Sequence, residues 1–527
     1  MADPTEKSVD ARAAGRGGVA VLFAKIFFLG VGFVQQALLP RAIGLAGYGA
    51  FSRVFAAASI LSNVVVFSST QGVSRAVAGA GEKSREAFRA ALRVHAVIGL
   101  GTALAFAALS PYVARFQGAP HIARPLLVMA ALLFVYGIYA PLIGYLNGRG
   151  QFQKQAMLDV TAAALRTLGL LGVGLLFQRG MSEGVLGATI GAVSAASMVC
   201  VIALVWTGTG ASSTAPDPRI PTARAYLLGL VPVILAQLFT NGLMQADISI
   251  LGRFLSESAQ AQAAAQAHAA GLPPEKLADE WVGVYRACQL FAFLPYQLLF
   301  SVTQVLFPML AKAHGEGDRP AIARLVSRGA RLGAIVCGLF LSVVVALPSS
   351  LLKFAYGADM AARGEGSLRI LALGQGAFAL LGLATTVLVS LKRERHAMAL
   401  TFSALLLTLN ACWFTIQGHA FGEAQLRAAA LATTGSLGCA LAVGVVVVRR
   451  DAGAFVPLAT ALRVGLAIAL FGLLGRFVPT LPEWLTPGAA LLVALGYALI
   501  LVVTRELGSG DLALVQSVIS KRREPKP

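Results

Sequence analysis

Apolar runs of membrane-spanning length, separated by short polar stretches, recur along almost the whole chain. A helix rises 1.5 Å per residue, so about 20 apolar residues cross the roughly 30 Å hydrocarbon layer of a bilayer. The runs predict about 14 such helices. Six lie near 17–39, 47–69, 91–111, 124–146, 157–177 and 184–206. Six more lie near 225–251, 281–310, 328–350, 368–390, 396–416 and 425–448, and two follow at 458–478 and 487–504. Alternating ten-residue strands of the β-barrel kind are absent. The predicted fold is all-α and polytopic.

The two six-helix blocks resemble each other. YGAFSRVFAA around the second span answers VGVYRACQLF around the eighth, with Gly49 against Gly283 and Phe51 against Tyr285. The same 234-residue offset, without a gap, sets Gly81-Glu82-x-x-Arg85 against Gly315-Glu316-x-x-Arg319, and Gly99 against Gly333. Gln155-Ala156-Met157 resembles His396-Ala397-Met398 at a slightly longer offset. Six is even, so both blocks enter the membrane from the same side, as parallel repeats do in transporters that rock two halves about a midplane site. The expected organisation is a tail at 1–16, six-helix halves at 17–206 and 225–448, a linker at 207–224, two added helices within 449–504, and a basic tail at 505–527.

Composition agrees. The 527 residues are 57% hydrophobic and 13% charged, with a mean hydropathy of +0.74; soluble domains carry about 25% charged residues. The five cysteines all lie in or beside apolar runs without metal-ligand spacing. The first run is too long for a signal-peptide core and no A-x-A site follows it, so it reads as a retained span.

The net charge of +19 looks at first like nucleic-acid binding. Its distribution says otherwise. Arg75, Lys83, Arg85, Arg89 and Arg93 fall in one connection after an even-numbered span. Lys312, Arg319, Arg324, Arg328 and Arg331 fall in another, and Lys392, Arg393 and Arg395 in a third. Basic residues concentrate on the cytoplasmic side of membrane proteins, which puts both termini in the cytoplasm. The charge is a topology signal, and no nucleic-acid partner is expected. No G-x-x-x-x-G-K-[ST] loop is present, which weighs against an ATP-driven pump. The longest outer connection, Ser256 to Glu280, is rich in Ala and Gln; it reads as an extension of the seventh helix or as a linker.

Chemistry enters with polar residues inside the spans. A cation in hydrocarbon costs at least about 2.5 kcal/mol, so intramembrane charges are rarely incidental. Lys25 lies in the first span with Gly32 and Gln36 on its face, and Arg53 lies in the second. In the eighth, Arg286, Gln289, Gln297 and Gln304 share one sector of a helix of about 3.6 residues per turn. The seventh carries Gln237, Thr240, Asn241, Gln245 and Asp247, and the fifth carries Asp159 and Arg166 two turns apart. Competing readings stand beside each. The cations can snorkel to the nearest interface, Asp159 and Arg166 can form a packing ion pair, and amides can join helices by hydrogen bonds. No metal site is expected.

LLPRAIGLAGYGAFSR, TQGVSRAVA, LVPVILAQLFTNGLMQADISILGRFL and VGVYRACQLFAFLPYQLLFSVTQVLFPMLA, in this order, resemble the polysaccharide transporters of the MOP (multidrug/oligosaccharidyl-lipid/polysaccharide) exporter superfamily. The resemblance covers Gly17 to about Arg450. It implies a flippase of a bacterial inner membrane that moves undecaprenyl-pyrophosphate-linked sugars between leaflets, with a cationic cavity on helices 1, 2 and 8. Lys25, Arg53 and Arg286 fall on those helices. The acidic and Asn-Pro motifs of the branch that flips the peptidoglycan precursor, lipid II, are missing from the first two helices, which points to an O-antigen, capsule or exopolysaccharide unit. On this reading Lys25 receives the pyrophosphate, Arg53 and Arg286 clamp it, and Gln36, Asn241, Gln289, Gln297 and Gln304 bind sugar hydroxyls. Asp247 or Asp159 would carry a coupling proton or sodium ion, with no other cofactor. Polysaccharide polymerases or ligases are the expected partners. The rivals are a multidrug exporter of the same superfamily, a lipid II flippase, and a membrane-embedded polymer ligase or glycosyltransferase.

Overall fold

Every regular element in the described residues of the computed structural model is helical; these residues are 27, 30–208, 223–265 and 273–508. The first helix, α1 (30–43), ends at Gly44, whose φ of +78° only glycine adopts without strain. Then come α2 (Leu45–Gly79), α3 (Ser84–Phe116) and α4 (Ala123–Gly148). Helix α5 starts as Phe152–Leu168 and runs through a π-helical turn at Gly169–Val173 into Gly174–Met181. Helices α6 (Gly184–Thr207) and α7 (Ala223–Ala265) follow. Helix α8 is Pro274–Ala292, resuming as Leu294–Gly315, and leads to α9 (Arg319–Ala346) and a short helix Pro348–Tyr356. The rest are α10 (Ala358–Ser390), α11 (Glu394–Ile416), α12 (Glu423–Ala452), α13 (Leu458–Leu474) and α14 (Thr486–Val503).

Among the described residues, eleven helices are long and apolar enough to cross a membrane. The expectation was about 14, and the three shortfalls have local causes. Helix α1 is only partly described, α8 is broken at Phe293, and α13 has 17 residues. The break in α8 precedes Pro295, which has no N–H for the carbonyl four residues back. The polar stripe expected on α8 therefore runs across a break rather than along one continuous helix. The connection after the seventh span begins as helix, since α7 runs on to Ala265. The short helix Pro348–Tyr356 was not anticipated from the hydrophobic pattern.

The chain divides into two compact units, Met1–Arg286 with Cys412–Gln425, and Ala287–Ala411 with Leu426–Pro527. In the first, α4 packs against α2, α3 and α6. Lipid offers no hydrophobic drive for helices to associate, so close approach of small residues does much of the work. Gly144 and Gly148, one turn apart on α4, let its backbone rest on α2: a Cβ on either would lie 2.8 Å from the Val73 or Val77 Cβ. Leu126, Met129, Leu133 and Leu146 fill the interior around α4.

In the second unit α10 packs against the second piece of α8 and against α9, and α9 holds α13 and α14. That docking is partly ionic. Glu506, just beyond α14, accepts from Arg331 Nε (2.8 Å), Arg463 Nη1 (2.8 Å) and Thr460 Oγ1 (2.6 Å). Burial alone would raise the Glu506 pKa, but these hydrogen bonds and the Arg331 charge outweigh it and hold the carboxyl below its ordinary value. Leu462, Leu466 and Leu470 stay exposed at four-residue spacing along α13, as a lipid-facing stripe requires.

Candidate functional site

The candidate site lies in the first unit, on α2, α7 and the start of α8. Its best-defined part is the end that holds the α3–α4 and α7–α8 connections, the end expected outside the cytoplasm. Arg53, on the third turn of α2, is fully buried there. Its Nε lies 2.9 Å from Asp279 Oδ1 on the first turns of α8. Its Nη1 donates to the Gln117 carbonyl at 3.0 Å and to Ser256 Oγ at 2.9 Å. Asp279 is itself buried, and its other oxygen lies 2.7 Å from His121 Nε2. His121 Nδ1 is 3.3 Å from Glu275. A cation that the sequence offers as a substrate clamp is thus already charge-compensated, with no accessible surface in this conformation.

Backbone packing makes this closure tight. A Cβ on Gly49 would stand 1.7 Å from the Asp279 carbonyl oxygen, and one on Gly283 would stand 3.3 Å from the Gly49 nitrogen. Residues 412–425 join the same end: Gln425 donates to Ser258 Oγ at 2.9 Å, and Trp281 packs edge-on against Phe421. Arg253 lies over the rings of Phe116 and Trp413, 5.0 and 4.9 Å from their centroids.

The surroundings change along α2. Tyr48 to Val54 are buried, but Asn63, ten residues beyond Arg53, is exposed, as are Phe67 and Arg75. Ten residues are about 15 Å of helix. Asn63 donates to Asn241 Oδ1 at 2.8 Å, and Asn241 donates to the Gln237 carbonyl at 2.8 Å. Arg286 sits half-buried with its guanidinium 5.6 Å from the centre of the Phe55 ring, a cation–π contact. Asp247 is buried; it accepts from the Tyr285 hydroxyl at 2.8 Å and from the Ile248 N–H at 2.8 Å.

The other expected site residues divide as follows. Lys25 lies outside the described residues. Gln36 is half-buried on α1, next to the buried Gln35, which accepts from Thr167. Gln289 and Gln297 belong to the second unit, one buried and one half-buried, and the Gln304 side chain lies outside the described residues. Asp159 and Arg166 are half-buried on α5. The structure therefore brings Arg53, Asn241, Asp247 and Arg286 into one unit and leaves the glutamines of α8 in the other.

Sequence reasoning missed Asn63, Asp279 and His121. It also missed His95, which is buried on α3 between Ser69 Oγ and the Tyr226 hydroxyl, each at 2.9 Å. Asn63 carried a signal, as an amide in the middle of an apolar run. Asp279 carried little, since a carboxylate in the first turns of a helix is ordinary.

A family model described as "Polysaccharide biosynthesis protein" matches residues 14–314, and the MatE model matches 275–414. Among solved structures, the chain resembles a lipid II flippase MurJ in an inward closed conformation. The TM-score is 0.70 at 13% identity, covering 93% of this chain and 99% of that one. It also resembles an inward-facing multidrug resistance MATE transporter of the MOP superfamily, with a TM-score of 0.61 at 14% identity over 82% of this chain and 98% of the other. A third likeness is to a MOP transporter from Pyrococcus furiosus whose title reports a binding pocket of reversed polarity. There the TM-score is 0.57 at 16% identity, over 84% and 96% of the two chains. At these identities the likeness is one of fold. A comparison with curated protein sequences found no match.

Proposed function

The chain belongs to the polysaccharide biosynthesis protein family, and from that premise we propose that it is a multi-pass membrane transporter of the MOP superfamily that flips a polyprenyl-pyrophosphate-linked oligosaccharide. The direction is from the cytoplasmic to the outer leaflet of a bacterial inner membrane, and the cargo is an O-antigen, capsule or exopolysaccharide unit. A pyrophosphate anion cannot cross about 30 Å of hydrocarbon without counter-charges. The observation that carries the reading is Arg286. It is a half-buried arginine on a membrane helix, held against Phe55 in the unit where Asn63 stays exposed. Arginine pairs with phosphate oxygens through two parallel N–H donors.

On this reading Arg286 meets the pyrophosphate, with Lys25 as a second contact. Asn63, Asn241 and Gln36 meet the sugar hydroxyls. Arg53 becomes available only when its ion pair with Asp279 opens. Asp247, buried under Tyr285, is the carboxylate assigned to a coupling proton or sodium ion, with Asp159 and Arg166 a packing pair. Transport leaves every covalent bond of the cargo intact.

Binding competition tests the reading. In nanodiscs, a polyprenyl pyrophosphate should protect the chain against thermal unfolding, and Arg286→Ala should abolish that protection. Protection by cationic dyes alone, unaffected by Arg286→Ala, would favour multidrug export instead.

A further inference from the structure

The ion pair at Arg53 has an asymmetry that the repeat makes visible. Gly49 on α2 and Gly283 on α8 correspond at the 234-residue offset, and they meet where the two helices cross. Corresponding helices crossing at corresponding glycines should look alike from both sides. They do not. On one side Asp279 of α8 reaches Arg53 of α2. On the other, the same offset puts Leu45 at the place of Asp279 and Ala287 at the place of Arg53. Of these two corresponding pairs, only Arg53 and Asp279 carry charge.

We propose that Asp279 is a positioning residue that holds Arg53 as an outer latch between α2 and α8, releasing it when that end opens. Three observations support a latch rather than a permanent strut. Arg53 is surrounded by partners from three separate segments, Gln117, Ser256 and Asp279, so any parting of these segments strips it of several contacts together. Its Nη2 is buried without a hydrogen-bond partner, so the guanidinium is not saturated where it lies. Asp279 is steered by His121, which is partly exposed and sits on the α3–α4 connection. Asp279 thus occupies Arg53 as an internal carboxylate until an external anion can replace it. That last step rests on the flippase reading above; the latch itself does not.

The test uses the full chain in lipid nanodiscs, with its five native cysteines replaced and a single reporter, Gln117→Cys. Gln117 is buried and contacts Arg53 through its backbone carbonyl, which the substitution keeps. The rate of labelling by a polar maleimide reports opening of this end. Removing one partner of a buried ion pair strongly disfavours the state that contains it, so Asp279→Asn should speed labelling about tenfold or more. The charge-reversed pair, Arg53→Asp with Asp279→Arg, should bring the rate back toward that of the parent, which a loss of packing alone would not do. Ser256→Ala, a milder change, should give a smaller rise and covers the case in which Asp279→Asn fails to fold. Unchanged labelling in folded Asp279→Asn or in Ser256→Ala, or no recovery in the charge-reversed pair, would overturn the latch. Inorganic pyrophosphate should speed labelling of the parent but not of Arg53→Gln. If it has no effect while Asp279→Asn still opens the end, the latch stands and the flippase reading loses support.

Discussion

Gly49→Ala is the smallest change that tests the closed end. The added Cβ would sit 1.7 Å from the Asp279 carbonyl oxygen, 2.6 Å from its carbonyl carbon and 2.9 Å from the Gly283 nitrogen. All three are backbone atoms, so no side chain can swing aside. Non-bonded heavy atoms rest about 3.5 Å apart, and α2 and α8 must separate here by more than about 1 Å. The Arg53–Asp279 pair, now at 2.9 Å, stretches with them. Overpacking of this kind costs about 1–3 kcal/mol. Replacing glycine by alanine inside a helix recovers about 0.5–1 kcal/mol, so the net effect is destabilising once the weakened ion pair is included. The control is Gly101→Ala on α3, where a Cβ meets nothing within 4 Å and only the helical gain remains. Thermal unfolding in one detergent should place Gly49→Ala several degrees below wild type and Gly101→Ala at or above it. Equal midpoints for the two variants would refute the close crossing.

Further outcomes follow from the same geometry. Glu506→Gln removes the charged acceptor shared by Arg331, Arg463 and Thr460 and should cost about 1.5–3 kcal/mol at neutral pH. Because the folded Glu506 pKa is depressed, its contribution is present above the unfolded glutamate range, about 4.3, and fades as pH falls through the lower folded value. Unfolding midpoints of wild type and Glu506→Gln should therefore converge in acid and separate on return to neutrality. Tyr285→Phe removes a buried hydrogen bond to Asp247 and should slow transport through the coupling carboxylate while the midpoint falls only modestly; unchanged transport at every ion gradient would count against Asp247. Asn63→Leu breaks an interhelical amide bond in the membrane, which is worth about 0.6 kcal/mol. It should weaken glycan recognition more than stability, as read from transport rate beside the unfolding midpoint.

Much of the fold was legible because length and apolarity decide what crosses a bilayer. Gly49 and Gly283, paired by offset alone, also lie in contact. Helix interruptions were less legible. The break at Phe293 and the short helix Pro348–Tyr356 fall inside or beside apolar runs that a span-length window averages over. Arg53 and Arg286 stood out as cations in apolar runs, but their surroundings did not. Arg53 meets a carboxylate 226 residues away that reads locally as an ordinary helix-start acid. Glu506 finds Arg331 across a similar distance, from a segment that looks like the beginning of a polar tail. A hydropathy pattern tells which residues need compensation, not which groups supply it.

The flippase reading turns on Arg286, and proteoliposome transport tests it most directly. Wild type and Arg286→Ala, matched in amount and thermal stability, should be given the same polyprenyl-pyrophosphate-linked oligosaccharide at a concentration below saturation. Wild type should move it between leaflets. Losing a charge-assisted contact of about 1.5–3 kcal/mol should slow Arg286→Ala by roughly 10- to 100-fold, with Arg286→Lys in between. Equal rates for wild type and Arg286→Ala would contradict the account.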